Sequence, residues 1–210
     1  MGPNADPDLS VSIEDGPETE LKVKGSRFLG QGFRADDEAA CQLKLGAVRR
    51  RHHDATHHCW ALCTGDPDRP HERWDDDGEP SGTAGVPIMG AIRHAGVQGL
   101  LVVVTRWFGG TKLGTGGLVR AYGEAARLAL DAAPRREVWR LATLDVEIAF
   151  DELGTVESLL AKQGPAVHTI LREFGDGARF HVGVRRSRAE GLRADLVEAT
   201  RGRARVSATS

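Results

Sequence analysis

Apolar and polar positions along this chain predict two successive blocks of mixed strands and helices. Leu21 and Val23, then Phe28, flank a Gly25-Ser26 turn and predict a pair of strands over 19–33. A helix follows, with Asp36, Asp37 and Glu38 at its start and Arg49, Arg50 and Arg51 at its end, complementing the macrodipole. Residues 57–64, HHCWALCT, read as a strand, and the polar run after them as a loop. Pro87 suits the first turn of a short helix carrying Ile88, Ala91, Ile92 and Ala95 on one face, with Ser81 or Thr83 as its expected N-cap. GLLVVVT at 99–105 is continuously apolar and β-branched, predicting a central strand. From Leu118 to Ala132 an amphipathic helix is predicted, its polar face carrying Arg120–Glu124 and Arg127–Asp131 at i,i+4 spacing.

Ala133-Pro134-Arg135-Arg136 interrupts the pattern and marks a domain boundary. Beyond it a strand at 141–150, a helix at 153–163, strands at 166–174 and 178–185, a helix at 188–200 and a strand at 203–207 are predicted. That order is the ferredoxin-like βαββαβ arrangement. In the last strand, period two would put Arg201, Arg203 and Arg205 on one solvent-facing side, with an RNA-facing sheet as the alternative. The expected organisation is α+β: an acidic, disordered leader over 1–18, an N-terminal domain over 19–136 and a C-terminal domain over 137–210.

Charge sharpens this division. Residues 1–20 hold six acids and no Lys or Arg, whereas residues 93–136 hold seven basic residues against two acids. Arginine outnumbers lysine 23 to 5, so Lys112 is one of few lysines. No apolar run approaches the roughly 20 residues that span a bilayer, and no secretory signal opens the chain, so a cytoplasmic protein without membrane contact is expected. Cys41, Cys59 and Cys63 are an odd number and predict buried, reduced thiols.

Three clusters carry candidate chemistry. Between the apolar strand and the amphipathic helix lie Arg106, Gly109, Gly110, Thr111, Lys112, Gly114, Thr115, Gly116, Gly117 and Arg120. Strand, glycine loop and helix N-terminus form an arrangement suited to phosphate, with main-chain N–H groups, hydroxyls and cations converging on an anion. It is not a Walker A loop, because Leu113 follows Lys112, and Val119 breaks the G-x-G-x-x-G pattern. Ahead of it, Asp75, Asp76, Asp77 and Glu79 could hold Mg²⁺ or form a solvated acidic loop. The third cluster runs from His52 to Cys63. Zinc between Cys59 and Cys63 fails on distance, since four strand residues span about 13 Å. His57 stays open as a candidate within a Cys-His pair.

Taken in order, these clusters are similar to a known signature. Ala55-Thr56-His57-His58-Cys59-Trp60-Ala61, Asp76-Asp77-Gly78-Glu79-Pro80-Ser81-Gly82-Thr83-Ala84-Gly85 and the run from Arg106 to Gly123 closely resemble the IMPACT/YigZ family over residues 20–130. The resemblance implies a two-layer α/β first domain like domain four of elongation factor G, in the ribosomal-protein-like superfamily. It also implies a ferredoxin-like second domain. Nucleic-acid or ribosome binding is the usual inference for bacterial members. The kinase-restraining circuit of the eukaryotic relatives depends on an extra N-terminal domain, for which this chain has no room.

The expectation is thus a non-enzymatic RNA- or ribosome-binding protein acting in translation or stress, with Arg106, Lys112 and Arg120 on phosphates. One alternative is a Mg²⁺-dependent phosphohydrolase or phosphotransferase. Another is a protein-interaction module anchored by Trp74, Trp107 and Phe108. Neither oligomeric state nor a bound cofactor is legible.

Overall fold

A computed structural model describes residues 6–209 as a mixed α/β chain in two compact units. One unit runs Ser10–Val138; the other joins the N-terminal residues through Leu9 to Trp139 onward. In chain order the elements are β1 (Leu9–Ile13), β2 (Thr19–Val23), β3 (Ser26–Arg34), α1 (Glu38–Arg51), β4 (His57–Asp66), β5 (Arg69–Asp75), α2 (Gly85–Ala95), β6 (Leu100–Trp107), α3 (Thr115–Ala132) and β7 (Arg135–Trp139). They continue with β8 (Leu141–Ile148), α4 (Leu153–Lys162), β9 (Val167–Phe174), β10 (Ala178–Arg185), α5 (Ala189–Ala199) and β11 (Arg205–Thr209). Among the described residues no helix is long and apolar enough to cross a membrane.

The first unit is built on an antiparallel five-stranded sheet in the order β2-β3-β6-β4-β5. β4 and β6 are apolar on both faces, so both faces must be covered. Leu100, Val102 and Val104 join Cys59, Ala61, Ile88, Ile92, Ala125 and Leu130 beneath α2 and α3. Leu101 and Val103 join Trp60, Leu62, Cys41, Leu45 and Val48 beneath α1. The sheet therefore lies between two helical layers, which corrects the expected two-layer arrangement.

The second unit is a four-stranded antiparallel sheet in the order β11-β8-β10-β9. Val146, Phe180, Val182, Val156, Leu160 and Leu196 form its core with α4 and α5. The last strand begins only at Arg205, because Arg201 (φ 55°) and Gly202 (φ 77°) turn the chain in the left-handed region. Arg203 then meets Asp151 and Glu152. The three arginines do not share a strand face.

The acidic N-terminal segment departs from expectation too; residues 1–5 lie outside the described residues. Leu9–Ile13 forms a strand in a ribbon with β7, and Asp8 is buried, its carboxylate accepting from Ser187 N and Oγ at 2.9 and 2.6 Å. Further along, Arg51 takes Glu18, Lys44 takes Asp15 and Arg136 takes Glu14. Basic partners elsewhere in the chain bind what composition alone presents as a free acidic run.

Candidate functional site

β6 runs out of the core at Trp107, and residues 108–114 form an exposed loop before α3. The loop is fastened at its start. Phe108 N–H donates to Thr56 Oγ1 at 3.0 Å, and Gly109 N–H to Ser26 Oγ at 3.3 Å. Gly109 lies directly on the β2–β3 turn: a Cβ there would stand 1.9 Å from the Gly25 carbonyl carbon and 2.3 Å from Ser26 N. Two glycines far apart in sequence thus let two main chains touch. Gly110 and Gly114 take φ of 83° and 71°, turning the chain into α3.

The two helices over this face begin differently. α2 has no capping side chain at Ala84; instead Asp76 reaches across and accepts from Gly82, Ala84 and Gly85 N–H at 2.8, 2.9 and 2.8 Å. Burial works against the Asp76 carboxylate, yet these three donors outweigh it and hold its pKa below the ordinary value. Thr83, an expected cap, donates its hydroxyl to Pro80 O instead. α3 begins at Thr115 behind Gly114 with no side-chain cap and no acidic residue in its first turn. Thr111, Lys112, Thr115 and Gly116 are exposed around that open end.

Arg120 completes the rim. A Cβ on Gly116 would stand 3.7 Å from Arg120 Nη1, so the guanidinium lies along the first turn. Its expected partner Glu124 is held by Arg127, at 2.7 and 2.9 Å. Among the described residues neither Lys112 nor Arg120 has a carboxylate within ion-pair distance.

Arg106 does not join them. Its side chain points beneath the loop and is buried, donating from Nη1 to Glu79 Oε1 at 2.6 Å and from Nη2 to Ser26 Oγ at 3.2 Å. Tyr122 OH donates to the same Glu79 oxygen at 2.7 Å, and His57 Nε2 lies 3.8 Å from it. His57 Nδ1–H donates to Asp77 O at 2.7 Å. This group, buried at Glu79, Arg106 and Tyr122 and half-buried at His57, ties the acidic loop to the glycine loop's support. Sequence reasoning missed it; the one signal was an acid and an arginine inside motifs of the same signature.

The acidic loop has no carboxylate to spare. Asp75 accepts from Asp77 N–H, Asp76 caps α2, Asp77 pairs with Arg49 and accepts from His58 N–H, and Glu79 is committed to Arg106 and Tyr122. Among the described residues no three His, Cys, Asp or Glu side chains gather closely enough to hold a metal. The thiols are equally quiet: burial raises Cys41 and Cys63 to about 11 and Cys59 higher still, with Cys59 Sγ–H donating to Asp76 O at 3.0 Å. Burial thus disfavours the Cys59 thiolate that a Cys-His pair would need.

His58 supplies a pH handle. Burial lowers its pKa, while its Nε2 sits 3.1 Å from His52 O. A histidine whose folded pKa lies below its unfolded value contributes stability above about pH 6.5 and loses it as pH falls through the folded pKa. The urea midpoint of the wild type is expected to fall more between pH 7.5 and 5.5 than that of His58→Gln; equal falls would show no linkage at this residue.

The open face of the second sheet carries opposite charges in a row. Glu173 faces Arg179, Arg179 faces Glu147, and Glu147 faces Arg205 across four strands. Arg179 binds Glu147, and His181 binds Asp145 at 2.5 Å. Such a face is self-neutralising rather than built for a polyanion.

Similar sequences and a similar architecture occur in known proteins. Residues 24–130 match the Impact N-terminal domain, and residues 146–203 a domain of unknown function, DUF1949. The chain is 30% identical to the IMPACT family member YvyE of Bacillus subtilis over 93% of this chain and 88% of that protein. It is 35% identical to the IMPACT family member YigZ of Escherichia coli over 73% and 76%, respectively. A crystal structure described as a hypothetical protein superposes with a TM-score of 0.70 at 28% identity, covering 97% of this chain and 98% of that one. With residues 24–130 matched to the Impact N-terminal domain and a relative aligned over 93% of its length, the chain belongs to the IMPACT family.

Proposed function

We propose that this protein binds the phosphate backbone of RNA, free or within the ribosome, at the open N-terminus of α3, and acts in translation or stress without catalysing a reaction. The observation that carries this reading is the contrast between neighbouring helices. Asp76 fills the N-terminus of α2, whereas α3 starts without a side-chain cap at the exposed Thr115 and Gly116, and among the described residues the flanking Lys112 and Arg120 have no carboxylate within ion-pair distance. A helix end of this kind favours an anion through its free N–H groups and its dipole. Arg106 serves as a positioning residue, holding the loop's support through Glu79 and Ser26.

The likeness of the first unit to domain four of elongation factor G, implied by its motifs, is the further ground for choosing RNA. The strand order of the second unit, β11-β8-β10-β9 with helices after β8 and β10, supports a ferredoxin-like assignment. The internal bonds of Asp75, Asp76, Asp77 and Glu79 weigh against the metal-assisted phosphohydrolase.

Binding of labelled single-stranded RNA, followed by anisotropy across a salt series, tests the proposal. Lys112→Ala with Arg120→Ala is expected to weaken binding alike for all sequences. Each lost phosphate contact should reduce the slope of log K against log salt by about 0.7. Unchanged affinity and slope in the double variant would sink the assignment.

A further inference from the structure

Phe108 is the one large aromatic side chain at the start of the phosphate loop that the fold leaves uncovered, and it is 47% exposed. Its neighbour behaves differently: Trp107 is half-buried, with the Arg27 guanidinium 4.4 Å from its ring centroid and His52 edge-on at 5.4 Å. Trp107 is thus used inside the protein. Phe108 has its backbone N–H fixed by Thr56 and is followed at once by Gly109, clamped on the Gly25 turn. Behind the ring sits the Arg106 guanidinium, 5.6 Å from the centroid and itself locked by Glu79 and Ser26. The ring is therefore carried on an anchored backbone with a buried cation on one side. Anchoring lowers the entropy lost when something flat is laid upon it.

From this placement we infer that Phe108 is a base-stacking platform, and that the ligand of the loop is single-stranded RNA with an unpaired base on the ring. The inference rests on the proposed phosphate site and specifies its ligand. A single exposed ring is ordinary on a protein surface, so the argument lies in its place: the Phe108 ring stands on an anchored backbone at the start of the loop that carries Lys112. A nucleobase supplies an apolar surface next to its own phosphate. Bases in a duplex are stacked on one another, so an exposed ring at a loop can reach only unpaired ones. Stacking is tolerant of sequence, because every base has a π-face.

Anisotropy with labelled oligouridylate, the same strand annealed to its complement, and an abasic oligomer of equal phosphate number separates the two claims. Phe108 is exposed, so Phe108→Ala is expected to fold, with far-ultraviolet circular dichroism as the check. Phe108→Trp serves as the variant that preserves a stacking face. Phe108→Ala should weaken oligouridylate binding by roughly 5- to 100-fold, leaving the abasic oligomer and the salt slope unchanged, and Phe108→Trp should restore affinity. Equal binding of single strand, duplex and abasic oligomer, unmoved by Phe108→Ala, would overturn the stacking role while the phosphate site stood. Absence of binding to all three by the wild type would overturn both. Loss of abasic binding in Phe108→Ala would assign the residue to the loop's shape instead.

Discussion

Arg106→Ala is expected to cost the first unit about 3–5 kcal/mol, the range for removing one partner of a buried ion pair. The guanidinium and the Glu79 carboxylate are 6% and 4% exposed, and Nη1 donates to Oε1 at 2.6 Å. Removing the arginine leaves a buried carboxylate under the loop with the Tyr122 hydroxyl bonded to it and His57 Nε2 3.8 Å away. Against a typical total of about 5–15 kcal/mol, that is a large share, and the melting temperature should fall by on the order of 10 °C. Combining Arg106→Met with Glu79→Gln removes both charges and keeps an acceptor for Tyr122. Most of the lost stability should then return, since a well-packed neutral pair often matches a buried ionic one. Urea unfolding of the two single variants and the double closes the cycle. An Arg106→Ala protein as stable as wild type would mean that the pair does not form.

Gly109→Ala is the second large effect, expected at about 3 kcal/mol, the upper part of the range for forced overpacking. The added Cβ would meet main-chain atoms only, 1.9 and 2.0 Å from the Gly25 carbonyl carbon and oxygen and 2.3 Å from Ser26 N. No rotamer can relieve such a clash, so the loop must part from the β2–β3 turn. Gly110→Ala is the control. Nothing lies within 4 Å of its added Cβ, and only the φ of 83° opposes it, at about 1–2 kcal/mol. Thermal unfolding should therefore rank Gly109→Ala well below Gly110→Ala, with faster amide exchange in Ser26 and residues 108–110. The reverse order would contradict the close approach of the two chains.

The glycine loop was legible in the sequence because its glycines, Thr111, Lys112 and Thr115 fall between a continuous apolar strand and a 3.6-period helix. What Arg106 does was not legible. Its partners Glu79 and Ser26 lie 27 and 80 residues away, and no local pattern says which arginine turns inward. β5 was read as loop for a related reason. RPHERWD is held by backbone bonds to β4 at the edge of the sheet and has no apolar period to read. Capping by Asp76 was hidden similarly, since the acid stands eight and nine residues before the amides it meets rather than at the N-cap. For Arg120, i,i+4 spacing pointed to Glu124, but Arg127 competes for that carboxylate from i+3 with two bonds. Periodicity shows which residues share a face, and the rest follows from tertiary competition.

Asp8 sets an order of events for a nascent chain. Its buried carboxylate closes on Ser187, 179 positions later, and belongs with the unit that resumes at Trp139. During synthesis Asp8 emerges early and must stay hydrated until its receiver has been made. Residues 10–138, whose sheet and three helices lie within that span, can close in the meantime. The second unit cannot finish until β8 to β11 arrive, so a segment made before the first unit takes its place among residues made after it.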